Sequence, residues 1–376
     1  MKTVGLLMAL FGDLLIRFSP RAEPLTGFAF IVHPRSQSDI LKKYPFLRYF
    51  PNWIIDSIMR RLWPVTVSRI SGLKSIAGEE VCGFVISIPL TARQMLEHRS
   101  AAVAAVRAAI DLGKARGVKM FGLGGLTSSV TKGGMDLLDI PEIVLTTGHA
   151  YTGVNVTRNV FEIIKRRQQA VDQQTIAIVG AAGSIGSISA QILARAGVQR
   201  LILIDLERKK ELVEALIPEL MRLQPLLCIE TTHHLSDLKK AHYIIAATNA
   251  PEALIHADDL SPGAVVVDDA QPSDVADDVL ERSDVLAIEA GVVHTPGISV
   301  NFDMGLKNRY DNFCCLAELL ILASRSYSTH YVINRPSLAH VDEIAAWGDA
   351  LGFKIAKFQN RKAMLEREHL QRCGVQ

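Results

Sequence analysis

At 376 residues the chain is longer than one ordinary core accommodates, so two or three domains are expected. Its 41 basic residues against 39 acidic ones leave no overall electrostatic pull towards nucleic acid, and no nucleic-acid partner is expected. Five cysteines, Cys82, Cys228, Cys314, Cys315 and Cys373, are odd in number and lack CxxC spacing, which speaks against a disulfide framework or a structural zinc and fits a reducing cytoplasm.

Near the start, Leu6, Leu7, Leu10, Phe11, Leu14 and Leu15 recur at helical spacing, while Asp13 and Arg17 interrupt the apolar run. This predicts an amphipathic helix, packed on the protein or lying on a membrane surface, rather than a signal peptide or a spanning segment. Phe28–Val32 reads as a short strand ending in His33-Pro-Arg35. Tyr44, Phe46, Tyr49, Phe50, Trp53 and Trp63 then mix with Arg48, Arg60 and Arg61, and Ile54, Ile55, Ile58, Met59 and Leu62 form a helical stripe among them. Strands are predicted over Val65–Ile70 and Val81–Ile88, and an alanine-rich helix over Ala101–Ala115. Phe121–Ser129 and Ile143–Tyr151 read as strand-then-loop segments with small and hydroxylated tips, and Asn159–Gln173 as a polar helix. Residues 1–172 are therefore expected to form an N-terminal α/β substrate domain.

From residue 175 the alternation becomes regular. Strands are predicted over Ile176–Val179, Leu201–Ile204, Leu226–Ile229, Tyr243–Ala247, Val265–Val267 and Val285–Ile288. Such βα alternation implies a Rossmann-type doubly wound parallel sheet over residues 173–300, with ligands beyond the carboxyl ends of its strands. The first strand runs into Gly180, Ala181, Ala182, Gly183, Ser184, Ile185 and Gly186, a helical pattern follows, and the second strand ends at Asp205. This is the order a dinucleotide site requires: one glycine for the turn, one for close approach of backbone to pyrophosphate, one for packing helix on strand. Asp205 suits an adenosine ribose 2′-hydroxyl and leans modestly towards NADH over NADPH, whereas Arg208, Lys209 and Lys210 would suit a 2′-phosphate or simply begin the next helix. Thr248, Asn249, Asp268, Asp269 and Gly291 mark the other strand ends.

Residues 301–376 turn helical, with helices predicted over Asn308–Arg325 and Leu338–Leu351. The first carries Cys314 and Cys315. A cysteine thiolate can hold an acyl group as a thioester for hydride reduction. If the helix begins near Asp311 or Asn312, its dipole and free N–H groups favour the thiolate; if near Asn308, that help fades. Buried cysteines acting as small hydrophobes are the alternative. His149 and His294, at loop and strand ends, are acid–base candidates, and Glu318 lies one turn beyond Cys315, either to orient the thiol or as a surface or capping carboxylate.

Several segments together resemble the long-chain acyl-(acyl-carrier-protein) reductases, which form fatty aldehydes. The matching motifs are Leu123-Gly-Gly-Leu-Thr-Ser-Ser129, Thr146-Thr-Gly148, Gly180 to Gly186, Val266-Val-Asp-Asp-Ala-Gln-Pro272, Ala290-Gly-Val-Val-His294 and Phe313-Cys-Cys-Leu-Ala-Glu318, in order from about residue 65 to residue 355. The resemblance implies a cysteine nucleophile, a covalent acyl-enzyme and hydride from NAD(P)H. It places the nucleophile on Cys315, with Ser128, Ser129 or nearby N–H groups as oxyanion donors. The substrate would be a fatty acyl thioester on acyl-carrier protein or coenzyme A. The Trp53–Trp63 segment would line the acyl chain, dock an acidic carrier or anionic headgroups, or simply pack in the folded core. The chain departs from the family in Asp205-Leu206, in the His149-Ala-Tyr151 continuation and in its first 60 residues. Two other classes fit the nucleotide motif: a shikimate-dehydrogenase-like oxidoreductase without covalent catalysis, and a non-catalytic dinucleotide-binding scaffold.

Overall fold

The computed structural model describes residues 27–34, 37, 40–41, 45–60, 62–301 and 304–376. The amphipathic segment expected over Leu6–Leu15, together with Arg35, Tyr44 and Arg61 and the side chains of Phe46 and Ile58, lies outside the described residues. The chain divides into two compact units. The first comprises residues 1–148, 296–310 and 315–334; the second comprises 149–295, 311–314 and 335–376. These units cut across the boundaries expected at residues 172 and 300, because residues 149–166 pack with the nucleotide half and the 301–376 segment is shared between both.

In the first unit, β1 (Phe28–Val32), β2 (Val65–Lys74), β3 (Glu80–Ser87), β4 (Met120–Leu123) and β5 (Val144–Thr146) form a sheet in the order β13-β2-β3-β1-β4-β5, where β13 is Ser299–Val300. β1 runs parallel to β3 and β4, β4 parallel to β5, and β2 antiparallel to β3. The Arg99–Ala115 helix packs on this sheet because Ala102, Val106, Ala109, Ile110 and Gly113 fall on one stripe. Gly113 is needed there: a Cβ would lie 2.4 Å from the ring of Phe121. The β5 edge is covered, with Tyr331 N–H donating to Leu145 O at 3.0 Å and Leu145 N–H to His330 Nδ1 at 3.1 Å.

The second unit holds β6 (Thr175–Val179), β7 (Arg200–Ile204), β8 (Cys228–Thr232), β9 (Tyr243–Ala246), β10 (Val265–Asp268) and β11 (Leu286–Glu289), in the order β11-β10-β9-β6-β7-β8. Every pairing in it is parallel. Along β6, Ile176 and Ile178 enter one core and Ala177 and Val179 another, and Leu201/Leu203 and Ile202/Ile204 of β7 divide in the same way. Both sheet faces are thus covered, which is why these strands read as unbroken apolar runs. The fold is α/β with a Rossmann-type doubly wound sheet. A small antiparallel sheet of β12 (Val292–His294), β14 (Asp311–Phe313) and β15 (Lys354–Ile355) completes the unit.

Two helices begin elsewhere than the sequence suggests. The polar helix predicted over Asn159–Gln173 is His149–Arg166, and its polar residues Thr152, Asn155, Thr157 and Asn159 are buried. The helix predicted over Asn308–Arg325 is Cys314–Ser324, because Asp311–Phe313 pairs as β14. Among the described residues, no helix is long and apolar enough to cross a membrane.

Candidate active site: a glycine loop and a clamped cysteine

In the second unit, the candidate nucleotide site is built on β6. Gly180 takes φ +86° and turns the chain sharply, and a Cβ there would meet Ala247 O at 2.6 Å. Gly186 lies against the turn itself, since a Cβ on it would fall 2.2 Å from Gly180 O. The Ser184–Arg195 helix starts with Gly183 as its N-cap residue, so the first-turn N–H groups of Ser184, Ile185 and Gly186 are those that a helix leaves without an intrahelical acceptor. Glycines where only glycine fits, followed by a helix N-terminus, suit a pyrophosphate; these residues fit a dinucleotide.

Asp205 is turned back onto this loop. Its Oδ2 accepts Ala182 N–H at 2.9 Å, its Oδ1 accepts Leu206 N–H at 2.8 Å, and Lys209 Nζ stands 3.3 Å from Oδ1. The carboxylate therefore organises the loop and is already balanced by a cation, while Arg208 is exposed. Arg335, which no sequence pattern singles out, reaches the loop from 153 residues away and donates from Nη2 to Ala182 O at 2.8 Å.

Three carboxyls stand at the ends of β9 and β10. Asp268 accepts Ser273 Oγ–H at 2.6 Å and Ala270 N–H at 3.1 Å; burial pushes its pKa up to about 7, with the Ser273 bond opposing. Asp274 accepts both the N–H and the hydroxyl of Thr248, at 3.0 and 2.5 Å, and burial raises it too. Burial, reinforced by Asp268 and Asp274, holds the Asp269 carboxyl well above the usual carboxylate range. A Cβ on Gly291 would lie 2.7 Å from Asp269 Oδ1, so glycine there makes room for this carboxyl.

In the first unit, Cys315 stands in the first turn of the Cys314–Ser324 helix and is partly exposed. Gly148 presses directly on it: with φ +79°, a Cβ on Gly148 would fall 2.3 Å from both Cα and Cβ of Cys315. Glu318, one turn further on, is fully buried, and its Oε1 accepts the Thr146 hydroxyl and, at 3.1 Å, Gly148 N–H. The carboxylate thus clamps the Thr146-Thr147-Gly148 turn onto the cysteine helix, which overturns the surface or capping role. Between those two tied residues, the Thr147 hydroxyl is buried and finds no hydrogen-bond partner among the described residues. At the very next residue of the helix after Glu318, a Cβ on Gly122 would lie 2.8 Å from Leu319 Cδ2, so β4 supports the same helix. Cys314 is different: it is buried, its N–H donates to Gly291 O at 2.9 Å, and its thiol points to Ala290 O at 3.7 Å.

The shikimate/quinate 5-dehydrogenase family model matches residues 162–290. Over 315 residues, 80% of this chain and 85% of the relative, the sequence is 26% identical to the long-chain acyl-[acyl-carrier-protein] reductase of Synechococcus elongatus. It is 25% identical over 359 residues to aminotransferase PigE of a Serratia species, covering 91% of this chain but 41% of that protein, so the chain spans less than half of that relative. Among solved structures, a malic enzyme from Entamoeba histolytica aligns with 99% of this chain and 72% of its own at 11% identity, with a TM-score of 0.42. The fold resembles that of NAD(P)-dependent oxidoreductases over the matched nucleotide-binding segment.

Within that fold the remaining predicted residues scatter. Ser128 and Ser129 lie on the short Leu126–Val130 helix, where Ser128 is buried and Ser129 exposed. Adjacent helical positions point about 100° apart, so the two do not face one point together. His149 opens the first turn of its helix, half-buried. His294 is held by a buried partner, with Nδ1 2.9 Å from Asp311 Oδ1. Ile55 and Met59 are buried with Ile40 and Leu47, but Trp53 of the expected acyl wall is 71% exposed beside Tyr49 and Phe50.

Proposed function

We propose that the chain reduces a long-chain fatty acyl thioester, carried on acyl-carrier protein or coenzyme A, to the aldehyde through an acyl-enzyme on Cys315. The observation that carries the reading is the contrast between the two adjacent cysteines. Cys314 is buried and bonded into β-structure, whereas Cys315 is partly exposed in the first turn of its helix, against a turn fixed by buried Glu318. The similarity to the Synechococcus reductase across most of both chains supports it.

In this reaction the Cys315 thiolate attacks the acyl carbonyl carbon, the bond to the carrier sulfur breaks, and the carrier thiol leaves with a proton. The Thr147 hydroxyl, rather than Ser128 or Ser129, donates to the carbonyl oxygen as negative charge develops. The Gly180–Gly186 loop would hold NAD(P)H, whose hydride, together with one proton, would reduce acyl-Cys315 to a hemithioacetal that releases the aldehyde and the free thiol. His149 and His294 are the imidazoles to test as the proton source. Because Lys209 balances Asp205, the preference for NADH that this acid confers is small. Exposed Tyr49, Phe50 and Trp53 beside Arg48 form a face suited to an acidic carrier or to anionic headgroups.

Intact-mass spectrometry after mixing with long-chain acyl-CoA or acyl-carrier protein tests the reading. An acyl adduct is expected in the wild type and in Cys314→Ala, absent in Cys315→Ala, and discharged as aldehyde by NADH or NADPH. Turnover that survives Cys315→Ala would instead favour the noncovalent dehydrogenase class suggested by the family match to residues 162–290. Dinucleotide binding without turnover or adduct would leave the scaffold.

A further inference from the structure

We infer that Asp269 binds the carboxamide of the nicotinamide ring and so orients the ring for hydride transfer, an assignment that rests on the dinucleotide reading of the Gly180–Gly186 loop. Topology gives the direction. The pyrophosphate loop follows β6, and Asp205 at the end of β7 marks the adenosine side. In a doubly wound sheet the cofactor lies across the switch point, so its nicotinamide half extends over the carboxyl ends of β9, β10 and β11. Asp269 stands there: it directly follows β10, and its N–H donates to Ala246 O at the end of β9, at 2.9 Å. Its carboxyl leans across to the end of β11, where Gly291 leaves it space.

Hydrogen bonding separates Asp269 from its neighbours. Asp268 is engaged by Ser273 and Ala270, and Asp274 by Thr248, so both serve their own loops. The Asp269 carboxyl makes no hydrogen bond with any described residue, and Asp269 is half-buried just past the carboxyl end of β10. Burial and the two neighbouring acids favour its neutral form. A neutral carboxyl presents one donor and one acceptor, which match the oxygen and the N–H of a carboxamide in a paired contact. Being uncharged, it also gives no electrostatic advantage to the oxidised, cationic ring over the reduced one, which suits an enzyme that must bind the reduced cofactor.

Calorimetric titration of the full chain with NADH, NADPH and ADP-ribose tests this, because ADP-ribose keeps the pyrophosphate and adenosine but has no nicotinamide. Asp269→Ala is expected to weaken NADH and NADPH about tenfold or more, the scale of a lost buried hydrogen-bonded contact, and to leave ADP-ribose within about twofold. Asp269→Asn, which keeps a donor and an acceptor, should restore most of the loss. Equal weakening of all three ligands by Asp269→Ala would make the residue a support of the rim and overturn the assignment, as would no effect on any of them. If the wild type binds neither ADP-ribose nor a nicotinamide dinucleotide, the dinucleotide reading itself falls and takes this assignment with it.

Discussion

Thr147 carries opposite consequences for stability and for chemistry. A buried hydroxyl without a partner costs about 1–3 kcal/mol, so the near-isosteric Thr147→Val should leave the fold as stable or stabilise it slightly. If the hydroxyl serves the developing oxyanion, the same change should slow acylation of Cys315 by about 100-fold. Urea unfolding and the rate of adduct formation measure the two effects; unaltered acylation would remove Thr147 from the mechanism. Arg335 acts on the glycine loop of the second unit. Its guanidinium touches the glycine loop, so Arg335→Ala should weaken NADH and ADP-ribose alike, by about tenfold, with a shallower salt dependence of binding. Calorimetry at two ionic strengths checks this, and unchanged affinity would reduce Arg335 to a support for Ala182. Neither residue was legible in the sequence, for a physical reason. An orphan hydroxyl looks like any loop threonine, and Arg335 meets the loop only through tertiary folding. Glu318 was legible as a neighbour of Cys315 by helical spacing, but its buried partners, Thr146 and Gly148, were not.

At the scale of elements, the Ser184–Arg195 helix depends on the helix beside it. Gly153, inside His149–Arg166, lets the two helices approach so closely that a Cβ would lie 2.7 Å from Ile188 Cγ2. Gly153→Val should therefore force these helices apart, costing about 1–3 kcal/mol as overpacking does, and should weaken dinucleotide binding by tilting the helix whose N-terminus faces the phosphates. Thermal unfolding with and without ADP-ribose would measure both; a variant that unfolds and binds like the wild type would show that the contact yields without consequence. Five of the strands of the parallel sheet were readable to within about a residue, since both their faces are buried, whereas the edge strand β8, largely exposed and carrying Glu230, Thr231 and Thr232, begins later than Leu226, where the sequence suggested it. The His149–Arg166 helix was not, because its buried side carries Asn155, Thr157 and Asn159. Those side chains are satisfied internally: Asn155 Nδ2 donates to Ala290 O at 2.6 Å and to Val292 O at 3.0 Å, and the Thr157 hydroxyl to Gly153 O at 2.8 Å. A hydrogen-bonded interior of this kind is indistinguishable in sequence from a solvated face. β14 was hidden similarly, since Asp311-Asn-Phe313 is a strand only because β12 lies beside it.

For the whole molecule, the titrating groups fall into two classes with opposite signs. Asp139, Asp284 and Asp237 have carboxyls lowered by hydrogen bonds from Arg107, Arg282 and Lys240. What they contribute is present above the unfolded carboxylate pKa, about 3.9, and is lost as pH falls through their lower folded values; Asp139 is exposed and Asp284 and Asp237 partly so, and each counts for little. Asp268 is the reverse. Its folded pKa lies at about 7, so the folded chain holds a proton that the unfolded chain has released. Its contribution is fully present below about pH 4 and is lost as pH rises through about 7, at up to about 1.4 kcal/mol per pH unit. Asp274 and Asp269, also raised by burial, add to the same trend. The two windows hardly overlap, so between pH 5 and 7 the buried acids should govern, and the stability of the wild type should fall as pH rises. Asp268→Asn keeps an oxygen for the Ala270 N–H and cannot ionise, so it should flatten that slope and be more stable than the wild type at pH 8. Urea unfolding at pH 5, 6, 7 and 8 measures the slope directly. Parallel slopes in the two proteins would mean that Asp268 is ionised in the folded chain despite its burial, with Ser273 and the backbone sufficient to hold the charge.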